Sequence, residues 1–447
     1  MVKDRSFYLH FCRLAIVITL NNLITFAVNL ADNIMLGAYS ETALSGAAAV
    51  NQISYFLVMF NVGIVGGVIV IASQYWGRKE LEPIRRIIGL GVRLAALLGL
   101  IALALCLLLP EGMVRIFAGD KEIVSQGVAY LRILCFSFPI MAVSNAMIMS
   151  MRSVETTAIG PMSSLTSLVF NIGLNYILIF GKLGLPAMGI RGAALATLIA
   201  RVVELIVVVL YLKCIDQKLH LKLLRLFRPD HEYLRDFFRV GVPTVLTNTM
   251  TGLSSCVQTA ILGHMTGPVL AANSMATTIY QVFVSLSIGT AHASMMVMGR
   301  TVGEGQGERI RPYARTLQVL YVAMGLVMGA LLLLLRPAAL RLYGVSTETK
   351  ALASRFLLVL AVCLACGSYS MPTASGIIQG GGNTRYPFLV DALFMWCLCI
   401  PLAALSAYVW QLSPIFVFFF LKMDQILKCI PNAIYCNSFR WVRKLTR

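Results

Sequence analysis

Long apolar runs with almost no charge recur along this chain, and they leave it few ways to fold. Leu94–Leu109 contains no charged residue, Val202–Leu212 contains one, and Phe388–Val409 is interrupted only by Asp391. A run of about 20 such residues is the length that crosses the hydrocarbon core of a bilayer as a helix. Twelve runs can be drawn, at 12–36, 44–72, 87–110, 124–150, 160–181, 187–212, 236–262, 269–298, 316–335, 351–378, 387–409 and 412–432. Composition supports the membrane assignment. The chain is 58% hydrophobic and 13% charged, with a mean hydropathy of +0.81, against roughly 25% charged residues in an average soluble domain. The expectation is an all-α membrane protein with twelve transmembrane helices.

A net charge of +18 over 447 residues could suggest nucleic acid, but its placement points elsewhere. Of the Lys and Arg at or beyond span ends, 25 fall on one side, Lys428 among them, and 8 on the other. The positive-inside rule then puts both termini and the loop near 213–235 in the cytoplasm, with the spans in the cell (inner) membrane. Membrane lipids are the expected partner of the basic face, and nucleic acid is not. No signal peptide is expected, because the apolar stretch after Arg13 lacks a small-residue cleavage site. The 11 Cys lie mostly inside spans and the 5 His show no ligand spacing, so packing is a better account of the thiols than disulfides or a metal. No phosphate loop and no nucleophile elbow is present. The chain is expected not to be an enzyme, to need no cofactor and to act as a monomer.

The chain also repeats itself. Shifted by 226 residues, Leu36-Gly37 falls on Leu262-Gly263, Gly63 on Gly289, Gly77 on Gly303 and Ile84-Arg85 on Ile310-Arg311, with 10 identities across the 50 positions from 36 to 85. An offset that contains six spans is even, so both halves enter from the same side. Two six-helix lobes related by a pseudo-twofold axis along the membrane normal are expected. They comprise residues 1–212 and 236–447, joined by a basic linker at 213–235. Within the linker, Leu219–Phe227 reads as an amphipathic helix on the inner leaflet. Parallel two-lobed transporters alternate access to a cleft between lobes.

Polar stripes inside the spans mark candidate sites. Span 1 carries Asn22, Thr25, Asn29 and Asp32, and the first span of the second half carries Asn248, Thr251, Ser255 and Gln258 at the same four positions plus 226. The amides and hydroxyls can be interhelical hydrogen-bond partners. Asp32 differs, since a carboxylate within a span costs about 2.5–3.5 kcal/mol unless protonated, paired or bound to a cation. Span 5 adds Ser164, Ser167, Asn171 and Asn175, and Asn carbonyls can coordinate Na⁺ or accept from a protonated acid. Na⁺ at Asp32, Asn171 and Asn175 is therefore open, with no other metal expected. Arg201 and Glu204, three apart on span 6, are expected to pair. Asn29, Asn248, Gln258, Asp391 and His292 are secondary candidates.

These residues resemble the multidrug and toxic compound extrusion (MATE) family, bacterial branch. The matching strings are Ala31-Asp32-Asn33-Ile34-Met35-Leu36-Gly37, Ala72-Ser73-Gln74-Tyr75-Trp76-Gly77, Asn171-Ile172-Gly173-Leu174-Asn175-Tyr176-Ile177, Gly189-Ile190-Arg191-Gly192-Ala193-Ala194-Leu195-Ala196-Thr197 and Gly380-Gly381-Gly382-Asn383-Thr384-Arg385. The resemblance covers essentially the whole chain. It implies export of cationic or amphipathic small molecules by antiport with H⁺ or Na⁺. It also implies an N-lobe cation site at Asp32, Asn171, Asn175 and Thr197, lined by Ala193. Three departures stand out. Asn248 replaces a glutamate common near the start of span 7, Asn383 replaces an aspartate, and Val17 replaces a proline whose 226-offset partner, Pro243, is retained. Both C-lobe acids are thus amides, which concentrates coupling on Asp32. The alternative function is a lipid-linked oligosaccharide flippase of the same superfamily. Such a protein would line its cleft with cations, whereas Arg132, Arg201 and Lys422 are few and scattered.

Overall fold

A backbone in hydrocarbon must satisfy its own N–H and C=O groups, and a helix does so within one segment. The computed structural model describes all residues except Met1, Lys3, Gly119, 222–225, 227–231, His264, Thr266, 342–345 and Arg447. Among the described residues it contains helices and no strand. Among the described residues of the first half the helices are α1 (Arg5–Tyr39), α2 (Glu41–Gly77), α3 (Leu81–Leu108), the short α4 (Pro110–Arg115), α5 (Lys121–Leu134), α6 (Ser137–Met151), α7 (Ile159–Phe180) and α8 (Ile190–Cys214). The second half has α9 (Leu234–Gly263), α10 (Gly267–Gly303), α11 (Gly307–Arg341), α12 (Thr347–Met371), α13 (Arg385–Asp391), α14 (Ile400–Ala404), α15 (Pro414–Lys422), α16 (Asp424–Leu427) and α17 (Cys429–Ser438).

Nine of these segments are long and apolar enough to cross a membrane, and the α5–α6 pair, bent by 57°, makes a tenth. The bend has a local cause. Pro139 has no N–H to give to the Cys135 carbonyl one turn back, and Phe138 N donates to that oxygen instead at 3.1 Å. Two further expected spans fall on α9 and on α15–α17. Polar residues such as Asn248, Thr251 and Ser255 dilute α9, and short breaks interrupt α15–α17. Wide π-helical turns at Pro372–Ile378, Ala392–Cys399 and Leu405–Val409 continue the spans of α12 and α13. Prolines at 372 and 401 cannot donate in an α register, and a π turn absorbs the missing bond. By contrast α1 runs unbroken through Val17.

The chain forms two compact units. One comprises Leu20–Ala72 and Glu80–Val245, and the other comprises Met1–Thr19, Ser73–Lys79 and Leu246–Arg447. They share most residues with the 1–212 and 236–447 halves but exchange the starts of α1 and α9. The exchange obeys the repeat, because the boundaries after Thr19 and Val245 are 226 apart. In one unit a Cβ on Gly63 would stand 2.5 Å from Val245 Cα, and in the other a Cβ on Gly289 would stand 2.1 Å from Thr19 Oγ1. These two contacts are offset mates on both sides. Each unit has its own apolar core, one around Leu36, Val50, Leu131, Phe138 and Ile179. The other is built around Leu262, Leu357 and the stacked rings of Phe356 and Phe418 at 4.2 Å. Of the Leu219–Phe227 linker, Lys222–Arg225 and Phe227 lie outside the described residues. Leu219, Leu221 and Leu226 are buried.

Candidate coupling site in the first half

Val28, Asp32 and Leu36, one turn apart on α1, all face the core, and Asp32 is 8% exposed. Two members of the expected stripe separate from it. Thr25 and Asn29 are exposed, and Asn29 lies about 60° around the helix from Asp32. Thr25 Oγ1 donates to its own helix, at Asn21 O, 3.0 Å away. The structure therefore brings Asp32 into a site and leaves Asn29 outside it.

The site is completed by α7 and α8. Asn171 and Asn175 are fully buried on the α7 face that also carries Gly160, Ser163 and Ser167. The two helices approach closely at Gly192, where a Cβ would fall 2.5 Å from Leu178 O. That approach sets Thr197 opposite Asn171. Asn175 Nδ2 donates to Asp32 Oδ1 and also lies 3.2 Å from Asn171 Oδ1. Asn171 Nδ2 in turn reaches Thr197 Oγ1 at 3.4 Å. Ala193, 1% exposed, sits one turn from Thr197 in the apolar core. The expected residues Asp32, Asn171, Asn175 and Thr197 thus form one connected chain.

Two further residues adjoin this chain, Tyr130, which motif reasoning passed over, and Arg201, which it paired with Glu204. Tyr130 on α5 is buried beside Thr197, within the field of Asp32 and Arg201. Arg201 Nη1 donates to Glu204 Oε2 at 2.6 Å and lies near enough to Asp32 for its charge to act on the carboxylate. The signal for Arg201 was its charge inside a span. Tyr130 carried none, since a buried tyrosine on an apolar helix face is ordinary.

The chemistry follows from the donor and acceptor count. Asp32 receives an amide hydrogen, and the buried Oδ1 of Asn175 has no partner. With Asn171 Oδ1 and Thr197 Oγ1 these atoms form a nest of oxygens linked to one carboxylate through the Asn175 and Asn171 amides. Such a nest can accept from a proton held by the acid or collect around a monovalent cation. Among the described residues no group of three or more His, Cys, Asp or Glu is placed to hold a metal ion.

The second half carries different chemistry at corresponding positions. Gln258, the offset mate of Asp32, accepts from Lys422 Nζ at 2.8 Å. Lys422 also lies 5.9 Å from the centre of the Phe418 ring. The position that holds a carboxylate in one repeat holds in the other an amide bonded to an ammonium. Asp391 does not stand alone, because Lys428 Nζ bridges Asp391 Oδ1 at 2.6 Å and Asp424 Oδ2 at 2.7 Å. Lys428, read from sequence as one of the sided surface cations, is 8% exposed. His292 Nδ1 lies 3.0 Å from the Ile288 carbonyl of its own helix, and Asn248 is half-buried on α9. Asn383 Nδ2 donates to Tyr435 Oη at 2.6 Å. Beside it, Gly381 O accepts from Arg443 N at 2.8 Å. The Gly380–Asn383 string thus seats the C-terminal segment.

The profile of the MatE family matches residues 18–177 and again 243–405, one match in each repeat. The chain belongs to the MatE family. It is 26% identical over 435 residues to a probable multidrug resistance protein NorM of Thermotoga maritima, covering 95% of this chain and 92% of that one. It is 25% identical to the multidrug resistance protein MdtK of Pectobacterium atrosepticum, over 90% of this chain and 88% of the relative. Among solved structures, a MATE protein in complex with MaL6 superposes with a TM-score of 0.86 at 20% identity, over 96% and 95% of the two chains. An outward-facing multidrug resistance MATE transporter of the MOP superfamily superposes with the same score and identity, over 96% and 95%. MATE proteins are multi-pass membrane transporters and not enzymes, and their fold is the all-helical one described above.

The three cations of a flippase-like reading are each accounted for separately in this MATE chain. Arg201 pairs with Glu204 and Lys422 with Gln258, and Arg132, in the last turn of α5, lines a cavity that runs along that helix.

Proposed function

We propose that this protein is a secondary active antiporter that exports cationic or amphipathic small molecules in exchange for H⁺ or Na⁺. The observation that carries the reading is Asp32, a buried span carboxylate held by Asn175 with Asn171 and Thr197 adjoining. The multidrug resistance relatives supply the cargo class. In this reading the protein is a monomer in the bacterial inner membrane with both termini cytoplasmic, as the 25-to-8 charge asymmetry favours. The two lobes alternate access.

A charged or cation-loaded Asp32 favours one arrangement of α1 against α7. Neutralising it removes the reason for Asn175 to point its amide at that oxygen, and the oxygen nest reorganises. Cargo and coupling ion then bind with mutually unfavourable coupling, which linkage makes reciprocal. The test is efflux of a cationic dye from proteoliposomes under an imposed pH gradient or an imposed Na⁺ gradient. One of the two gradients drives transport by the native protein and neither drives it in Asp32→Asn. Efflux driven by neither gradient in the native protein overturns the antiport reading.

A further inference from the structure

The face to which α1 delivers Tyr39 holds few cations, 8 against 25 on the other. Three of those eight, Arg115, Lys121 and Arg191, line a single cavity of about 920 Å³, and Arg132 joins them. The single carboxylate in its wall, Glu111, already engages Arg115 at 3.5 Å. The cavity is therefore strongly electropositive on the side of the protein where topology disfavours positive charge. A second cavity of about 510 Å³, lined by Tyr39, Ser40, Gln126 and the shared Arg191, adjoins it.

The local structure holds the basic groups in place. Asp120 caps α5 by accepting from Glu122 N at 2.8 Å and Ile123 N at 3.2 Å. α5 also abuts α2 closely, since a Cβ on Gly46 would fall 2.8 Å from Gly127 N. Lys121 and Arg132 are eleven residues apart on α5, about 16 Å along its axis. Val124 and Val128 between them, and Ile133 next to Arg132, give the same cavity an apolar wall. The result is an amphipathic slot with a basic mouth and an arginine at membrane depth.

We propose that this cavity binds the phosphate headgroup of an anionic lipid from the adjoining leaflet. Lys121 and Arg191 hold the phosphate at the mouth, the α5 apolar face takes the proximal acyl chain, and Arg132 receives the polar glycerol region. Arginine and lysine donate charge-assisted hydrogen bonds to phosphate, and basic pockets between spanning helices recognise lipid headgroups. The depth of Arg132 favours a membrane-resident amphiphile over a soluble phosphate. This assignment uses no part of the Asp32 site, so its test is independent of transport.

The experiment is native mass spectrometry of the full chain in detergent, offered phosphatidylglycerol and phosphatidylcholine in equal amounts. The native protein retains phosphatidylglycerol in preference, and Arg132→Gln with Arg191→Gln lowers that preference about 30-fold. Lys182→Gln, on the same face but outside the cavity wall, leaves it unchanged. Should the double variant not purify as a monodisperse species, Lys121→Gln at the exposed mouth lowers the preference about fivefold. Retention of glycerol phosphate without phosphatidylglycerol assigns the same phosphate site to a soluble source and rejects the lipid. Equal retention of the two lipids by the native protein, or a preference unmoved by the substitutions, overturns the proposal.

Discussion

Replacing Asp32 with Asn separates a coupling role from a structural one, because the two make opposite stability forecasts. A charged carboxylate at span depth costs about 2.5–3.5 kcal/mol. Its bond from Asn175, as a bond to a charged group, returns about 1.5–3 kcal/mol. In the variant the desolvation cost disappears, and an amide–amide bond of about 0.5–1.5 kcal/mol remains in nearly the same space. The balance makes Asp32→Asn about 1–2 kcal/mol more stable than the native protein, or equal to it. Thermal unfolding in detergent reads that term, and gradient-driven dye efflux from proteoliposomes reads function. The expected pair of results is unchanged or improved stability with gradient-driven efflux lost. A variant that is destabilised by about 3 kcal/mol would mark Asp32 as structural. A stable variant that pumps at the native rate would place coupling elsewhere in the chain.

Other expectations follow from the same geometry. Gly192→Leu drives a side chain into Leu178 O, where even a Cβ stands at 2.5 Å. It should part α7 from α8, cost about 1–3 kcal/mol and abolish efflux, as unfolding and transport assays will show. Gln258→Ala strips Lys422 of its hydrogen-bond acceptor and should cost about 1–3 kcal/mol. Adding Lys422→Met should recover most of that loss in a double-mutant cycle. Lys428→Met leaves Asp391 and Asp424 facing each other without their bridge and should cost about 3–5 kcal/mol. Neutralising all three groups together should come close to native stability in the same unfolding assay. Gln74→Ala removes bonds to Arg443 O at 3.0 Å and from Leu445 N at 2.8 Å, so limited proteolysis should cut more readily after Trp441.

Much of the first-half site was legible because a carboxylate inside an apolar span is costly and conspicuous. Asn171 and Asn175 were legible because four-residue spacing puts them on one helical face. The separation of Asn29 from Asp32 was not legible. Both belong to one stripe in a helical projection, and only the packing of α1 decides which edge turns inward. Tyr130 was invisible for a related reason, since its neighbours come from α1 and α8, far away in sequence. Lys428 was misread because its position near a span end is equally consistent with a surface cation. Asp424, four residues before it, is a partner that helical spacing offers, but Asp391 comes from α13 and no local pattern announces that meeting.

The sequence alone determined the membrane, the helices, the two-fold repetition and Asp32 as the residue to explain. Hydrophobic length, charge placement and self-similarity are properties of the chain read in order, and burial cost is a property of a residue type. Tertiary structure decided which polar groups meet. It exchanged the starts of α1 and α9 between the compact units, and it gave offset mates Asp32 and Gln258 different partners, the neutral amide of Asn175 and the ammonium of Lys422. It also gathered four cations around one cavity. Those outcomes depend on close approaches at Gly63, Gly289, Gly192 and Gly46, where backbone distance selects the neighbours and local sequence carries no record of the choice.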